Sequence, residues 1–436
     1  MFKIAIIADD LTGASDSGVQ FARKGIETHV VFDISFFNSE SNGNVVIVID
    51  TDSRAIKADV AYERVKGTAR KLHNYGFNFI YKKIDSTLRG NLGAEIEAIL
   101  DSATFDYTIV VPAFPKLGRT TVDGVQYLNH VPISETEVAR DLCTPVKESN
   151  IVKLLSFQTE RKCTLIKLDT VRGGRDIILS KISEERINGT EIFIFDAETE
   201  EDLEIIAASQ SKLDQDKILW VGSAGLAEFI PKYTGFSDIK AEPVYISPSK
   251  NPVMLVSGSL SQLARTQVNQ FNKLPRVVSV ELNSLNIIQS DKKKIEEIER
   301  CFDEAISAVN DGADISLYTS SLPEHIAATK ISGKELGFDE MEVSNQISNA
   351  LGTITSKILK EIPLAGMILT GGDTAKAVCK WSEICGISLI NEIEPGIPLG
   401  KPINKFDMYV VTKAGAFGRP DSLIKALKTL KGGVSI

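Results

Sequence analysis

Short runs of β-branched and aliphatic residues alternate with longer amphipathic stretches from one end of the chain to the other. In the first half, candidate strands fall at 3–8, 28–32, 45–49, 78–82, 107–111, 164–167, 191–195 and 218–221. Helical periodicity is clearest at 58–75 and 91–101, and Asn91 stands where an N-cap is expected, ahead of Ile96, Ile99 and Leu100. Such alternation predicts parallel βαβ units and a doubly wound α/β sheet. Between 231 and 252 the pattern stops, where Pro231, Gly235, Pro243, Pro248 and Pro252 interrupt both periods. It then restarts, with strands at 253–257, 277–281, 314–318, 366–370 and 408–412 and helices at 261–273, 291–309, 343–361, 373–381 and 420–431. A chain of 436 residues is long for one core. Two mostly parallel-sheet lobes are therefore expected, 1–235 and 250–436, with a ligand-binding cleft between them.

Charge narrows the partners. Forty-nine basic residues against 58 acidic give a net charge of −9, which argues against a nucleic-acid or anionic-membrane binder. A small anionic ligand stays open, because a few local Arg and Lys suffice for it. The five cysteines (143, 163, 301, 379, 385) form no C-x-x-C pair, and the four histidines show no H-E-x-x-H spacing. Both point to a reduced, cytoplasmic chain without a zinc site. The apolar run Phe2–Ala8 ends at Asp9-Asp10, too short for a signal peptide or a membrane span.

Three strand-to-helix turns carry candidate chemistry. After strand 3–8 come Asp9-Asp10-Leu11-Thr12-Gly13 and then Asp16. Carboxylates at a strand's C-terminal end face the crevice, so Asp9, Asp10 and Asp16 can supply a base or hydrogen bonds to hydroxyls. Asp10 or Thr12 capping the helix is the plainer reading, and it explains one acid but not three. After strand 78–82 comes Lys82-Lys83-Ile84-Asp85-Ser86-Thr87-Leu88-Arg89-Gly90-Asn91. Arg89 offers a planar fork for a carboxylate, and with Asp52-Ser53-Arg54 the segment makes a pocket for a polyhydroxy acid; a solvated charged turn is the competing reading. Strand 366–370 leads into Gly371-Gly372-Asp373-Thr374, whose backbone N–H groups at a helix start suit a phosphate. Asp373 can there hold Mg²⁺ or deprotonate an attacking hydroxyl.

Two more glycine- and serine-bearing turns follow strands in the same lobe: Ser257-Gly258-Ser259-Leu260-Ser261 and Lys413-Ala414-Gly415-Ala416-Phe417-Gly418. Three such turns together predict a nucleotide site, without a Walker A or G-x-G-x-x-G fingerprint. Gly396–Lys401 resembles a P-loop but is one residue short, and Pro402 replaces the Ser/Thr that Mg²⁺ needs. Lys116 and Arg119, in a Pro-stiffened loop, are candidates for phosphate or substrate contact. The turn Gly222-Ser223-Ala224-Gly225 fits cleft lining and tight packing equally well.

At these residues the chain resembles the four-carbon acid sugar kinases, in which a sugar-acid domain precedes a nucleotide-binding domain. The resemblance rests on IADDLTGASD, KKIDSTLRGN, PAFPKLGRTTVDG, WVGSAGLA, VSGSLS, LTGGDTA and KAGAFG, in family order over nearly the whole chain. It implies an ATP- and Mg²⁺-dependent transfer to the 4-hydroxyl of D-threonate, D-erythronate or a 3-oxo-tetronate. ATP would meet Ser257, Ser259, Gly371, Gly372, Asp373, Thr374 and Gly415. The acid would meet Asp9, Asp10, Thr12, Asp16, Arg54, Lys82, Asp85 and Arg89, with Asp373 and Asp10 as catalytic candidates. Asp16-Ser17-Gly18-Val19-Gln20 is similar to the D-threonate branch. Protein ligands for the metal are not visible, and a homodimer stays open. A nicotinamide-dependent sugar-acid dehydrogenase is the rival reading, and it lacks its glycine fingerprint. A two-lobed binding protein, usually exported, is the other.

Overall fold

Strand β1 (Lys3–Ala8) is buried from Ile4 to Ala8, which is how a strand reads when helices cover both faces of a parallel sheet. The computed structural model describes residues 3–32, 44–77, 79–141, 144–209, 216–234, 242–320, 322–403 and 405–435. Asn78 of the expected strand 78–82, Cys143 and Gly235 lie outside them. The chain separates into two compact units, 1–241 and 242–436.

In the first unit, β1 is followed by α1 (Leu11–Ala22), β2 (Glu27–Val31), β3 (Val45–Asp50), α2 (Ala58–Asn74), β4 (Phe79–Lys83), α3 (Leu92–Leu100) and β5 (Tyr107–Val111). Strands β6 (Arg119–Val122), β7 (Val125–Leu128) and β8 (Val131–Pro132) form a small antiparallel sheet that the periodicity did not announce. Strands β9 (Cys163–Ile166), β10 (Ile192–Phe195) and β11 (Ile218–Gly222) complete the main sheet. Its order is β2-β3-β1-β4-β11-β5-β10-β9, parallel throughout. The chain reverses its direction of winding at β1, which has β3 on one side and β4 on the other. Register aligns the strand ends: Ala8 pairs with both Asp50 and Lys83, so the three chain segments leaving these strands start side by side.

The second unit repeats the device. It holds β12 (Tyr245–Ile246), β13 (Val253–Ser257), β14 (Val277–Leu282), β15 (Asp314–Thr319), β16 (Gly366–Thr370), β17 (Gly386–Glu394), β18 (Ile397–Pro402), β19 (Tyr409–Lys413) and β20 (Val434–Ser435). The sheet order is β14-β15-β13-β16-β19-β18-β17, with the first five strands parallel. Ser257 pairs with Thr370 and Thr370 with Lys413, so three turns again emerge together. A core of Leu255, Phe271, Ile368, Leu399, Val411 and Leu430 packs against the helices Gln262–Phe271 and Ser422–Lys431.

The mixed α/β architecture is the expected one, with most strand limits within a residue or two of the periodicity. Besides the β6–β8 sheet, two features differ. The segment 386–402 is an antiparallel hairpin, β17–β18, whose glycines and prolines hid its alternation. Asn91 holds the N-cap position of α3 as expected, but its side chain makes no capping bond: its Nδ2 donates to the Ser53 and Ile56 carbonyls, each at 2.9 Å. Its amide therefore pins the loop that carries Arg54. No helix among the described residues is long and apolar enough to cross a membrane.

Candidate active site

In the first unit, the site is built around one arginine. Asp10 ends the extended segment and caps α1, its Oδ1 accepting from the Gly13 amide at 2.8 Å. Arg54 arrives from the loop after β3, held by its backbone amide on the Asp9 carbonyl at 3.2 Å. Its Nε and Nη2 donate to Asp9 at 2.7 and 2.9 Å, and its Nη1 and Nη2 to Asp10 at 2.8 and 2.7 Å. A single guanidinium thus clamps two adjacent carboxylates, each through two bonds. Burial pushes the Asp9 carboxyl up, but Arg54, with Lys82 and Lys83 nearby, outweighs it and holds Asp9 below its ordinary value.

The segment after β4 supplies a second cluster. Arg89 donates through Nε to Asp85 Oδ2 at 2.7 Å and through Nη1 to Asp141 at 3.3 Å, and it keeps about a third of its side chain exposed. Thr87 donates to the same Asp85 carboxylate. Burial raises the Asp85 carboxyl, but Arg89, Arg54 and the Thr87 hydroxyl hold it well below the usual carboxylate range. Two backbone positions here lie in the left-handed region, Leu88 at φ 62° and Gly90 at φ 106°. At Gly90 a side chain would meet Arg54 Cγ at 3.3 Å and Asp9 Oδ2 at 3.4 Å, so the glycine is what lets this loop lie against the clamp.

Not every candidate comes to the surface. Lys82 is wholly buried, its Nζ 2.7 Å from Glu95 Oε2, so it lends charge to Asp9 from beneath rather than presenting its ammonium at the surface. Arg54 has its fork committed to the two acids, so it positions them. Asp16 is buried in α1, where its charge acts on Tyr81 and Arg119; Thr12, at α1's start, is half-buried. Gln20 donates to the Asp16 carbonyl inside the same helix. Arg119 is held beside Asp85 and Asp16, whereas Lys116 pairs with Glu228 and Glu200. The Gly222–Gly225 turn is packing: a Cβ on Gly222 would lie 2.6 Å from Tyr81 Oη.

In the second unit, the three turns converge. A Cβ on Gly415 would sit 2.1 Å from Ser259 Oγ and 3.0 Å from Ser261 Oγ. One on Gly258 would sit 2.6 Å from Thr374 Oγ1, and one on Gly371, which has φ 103°, would face Thr374 Oγ1 at 3.4 Å and Ser259 Cβ at 3.7 Å. Ser259, Gly371, Thr374 and Gly415 therefore share one small space that added side chains would fill. Ser257, the last residue of β13, is buried beneath it. Gly372 opens the helix Gly372–Trp381, and Asp373 is exposed in its first turn. Free amides and the positive end of a helix at a strand terminus suit a phosphate. No group of three or more His, Cys, Asp or Glu among the described residues is placed to hold a metal ion.

Residues 4–230 match a family model described as a sugar-binding N-terminal domain, and residues 254–423 one described as a nucleotide-binding C-terminal domain. Over 430 residues the chain is 33% identical to a D-threonate kinase of Salmonella typhimurium, covering 98% of this chain and 97% of the relative. The chain belongs to the four-carbon acid sugar kinase family. Within that kinase family, a D-erythronate kinase of Heliobacterium modesticaldum is 31% identical, over 97% of this chain and 95% of the relative. A 3-oxo-tetronate kinase of Pseudomonas savastanoi pv. phaseolicola is 28% identical, over 98% and 97%. A solved structure from Salmonella typhimurium LT2 superposes with a TM-score of 0.81 at 23% identity, covering 98% of this chain and 99% of that one. At that identity it speaks to the fold alone.

Membership of the family is thus clear, but several residues of the site carry no mark in the sequence. Asp141, Glu95 and Gln267 look like ordinary surface or helix residues. A lysine ending an otherwise apolar parallel strand is the one usable signal, and it applies to Lys82, Lys83 and Lys413 alike.

Proposed function

We propose that the protein transfers the γ-phosphoryl group of ATP to the 4-hydroxyl of a four-carbon sugar acid, with D-threonate the first candidate and D-erythronate the next. The first unit binds the acid and the second the nucleotide. The observation that carries this reading is the convergence of the Ser259, Gly371–Thr374 and Gly415 turns on one cradle, in a chain whose other unit presents a clamped pair of carboxylates beside Arg89. The kinship with D-threonate and D-erythronate kinases supports the substrate class. A 3-oxo-tetronate is the alternative, from the more distant relatives.

In such a transfer the protein mainly positions both substrates and neutralises charge, because little covalent chemistry is left for it. Arg89 turns its exposed edge to the substrate carboxylate. Asp10, a fifth exposed and oriented by Arg54, accepts from a substrate hydroxyl. Asp373 stands at the phosphate end of the cradle, as base or metal ligand. A lone exposed carboxylate fits Mg²⁺, which takes one or two protein oxygens and completes its shell with phosphate and water. The ion would neutralise charge on the phosphates.

Arg89→Ala removes a charge-assisted contact and is expected to raise KM for the acid about ten- to a hundredfold. KM for ATP should stay nearly unchanged. Steady-state kinetics with each substrate varied in turn checks this, and an unaltered KM for the acid would leave Arg89 as a partner of Asp85 only.

A further inference from the structure

Lys413 closes β19 and is 1% exposed. Its ammonium donates to the carbonyls of Ala414 at 2.7 Å, Phe417 at 3.0 Å and Gly415 at 3.1 Å. Those bonds use every donor a lysine has. Its own carbonyl accepts from the Gly371 amide at 2.9 Å, so one residue joins the loop after β19 to the turn after β16. Gln267, from the helix Gln262–Phe271, adds bonds to the Phe417 and Arg419 carbonyls at 3.1 and 2.7 Å.

The consequence is geometric. Peptide units are planar and trans, and no cis bond occurs among the described residues. Drawing the carbonyls of 414, 415 and 417 to one buried point turns the amides of Gly415, Ala416 and Gly418 the other way. Gly415 lies against Ser259 and Ser261, at the cradle.

We propose that Lys413 is the positioning residue of the nucleotide site: its buried ammonium gathers the loop's carbonyls, so that the amides of Gly415, Ala416 and Gly418 face the polyphosphate. This rests on reading the second unit as the nucleotide site. A neutral amine has a lone pair and only two donors, so the charged form alone holds three carbonyls. The charged groups on the elements packed around it are Arg265, Asp373, Lys376, Lys380, Glu392, Glu394, Lys401, Arg419, Asp421, Lys425, Lys428 and Lys431. None of them pairs with Lys413 among the described residues: Glu394 takes Arg419 and Lys425, and Lys401 takes Asp407. Burial without a counter-ion pushes the ammonium down to about 7. Polyphosphate nearby favours the charged form, so nucleotide binding raises the pKa and takes up a proton just above pH 7. By reciprocity, affinity falls as pH rises past 7.

Titration calorimetry of the full chain with MgADP at pH 7.5–8, in buffers of different ionisation enthalpy, tests this. The wild type is expected to take up part of a proton. Lys413→Met should bind about ten- to a hundredfold more weakly, with that uptake gone. Equal affinity and equal uptake in the variant would overturn the assignment. If Lys413→Met does not fold, the wild type decides alone, and MgADP binding without proton uptake sinks the proposal. A wild type that binds no MgADP at all removes the nucleotide reading itself, which is a distinguishable result.

Discussion

Asp373→Asn is expected to lower kcat by about 10²–10⁴, the usual loss when a general base is removed. The fold gives little reason for any other effect. The N-cap of the helix Gly372–Trp381 is Gly371, with no side-chain capping bond, and Asp373 is exposed in the first turn. Asparagine keeps the shape, and losing one negative charge at a helix start costs about 0.3–1 kcal/mol. The melting temperature should therefore stay close to that of the wild type while turnover collapses. Turnover measured with saturating ATP and acid, beside a thermal melt, separates the two effects. A near-normal kcat would return Asp373 to helix-end electrostatics and move the catalytic role to Asp10 or Asp85.

Arg54→Met is expected to act on stability first. It leaves Asp9, 3% exposed, and Asp10 without the guanidinium that makes four bonds to them. Breaking a buried ion pair by removing one partner costs about 3–5 kcal/mol, because the other charge stays behind. The pH dependence is set by the sign of the shifts. Asp9 and Asp85 are held below the ordinary 3.8, so in the wild type they contribute stability above about pH 4 that is lost as pH falls through their folded values. The variant forfeits the Asp9 share of that gain, so the gap between the two proteins should narrow towards acid pH. Denaturant melts at pH 7 and at about pH 2.5, below the ordinary carboxylate value, measure it. A gap of equal size at both values would mean that Arg54 contributes packing rather than charge.

Local features are the ones legible in the sequence. Strand cores such as Lys3–Ala8 and Val253–Ser257 are continuous apolar runs, and the turns behind them carry acids or glycines in the same dozen residues. That is enough to place chemistry at strand ends. Pairing is not local: Ala8 beside both Asp50 and Lys83, and Thr370 beside both Ser257 and Lys413, are set by register between distant segments. Hence Arg54 reads as a substrate fork in sequence and proves to be the clamp on Asp9 and Asp10. Side-chain direction is equally hidden. Successive residues of a strand face opposite ways, so of the adjacent lysines ending β4 the sequence does not say which meets Glu95. The hairpin β17–β18 was lost because Gly396, Pro398, Gly400 and Pro402 break the apolar alternation that would have revealed it.

ADP formation by the purified protein with ATP and Mg²⁺, over a panel of four-carbon sugar acids, tests the central claim most directly. ADP should form at a substantial rate only when a tetronate or 3-oxo-tetronate is present, fastest with D-threonate or D-erythronate, and the product should carry phosphate on its 4-hydroxyl. No acid-dependent ADP formation across the panel, together with NAD reduction by any of the same acids, would contradict it.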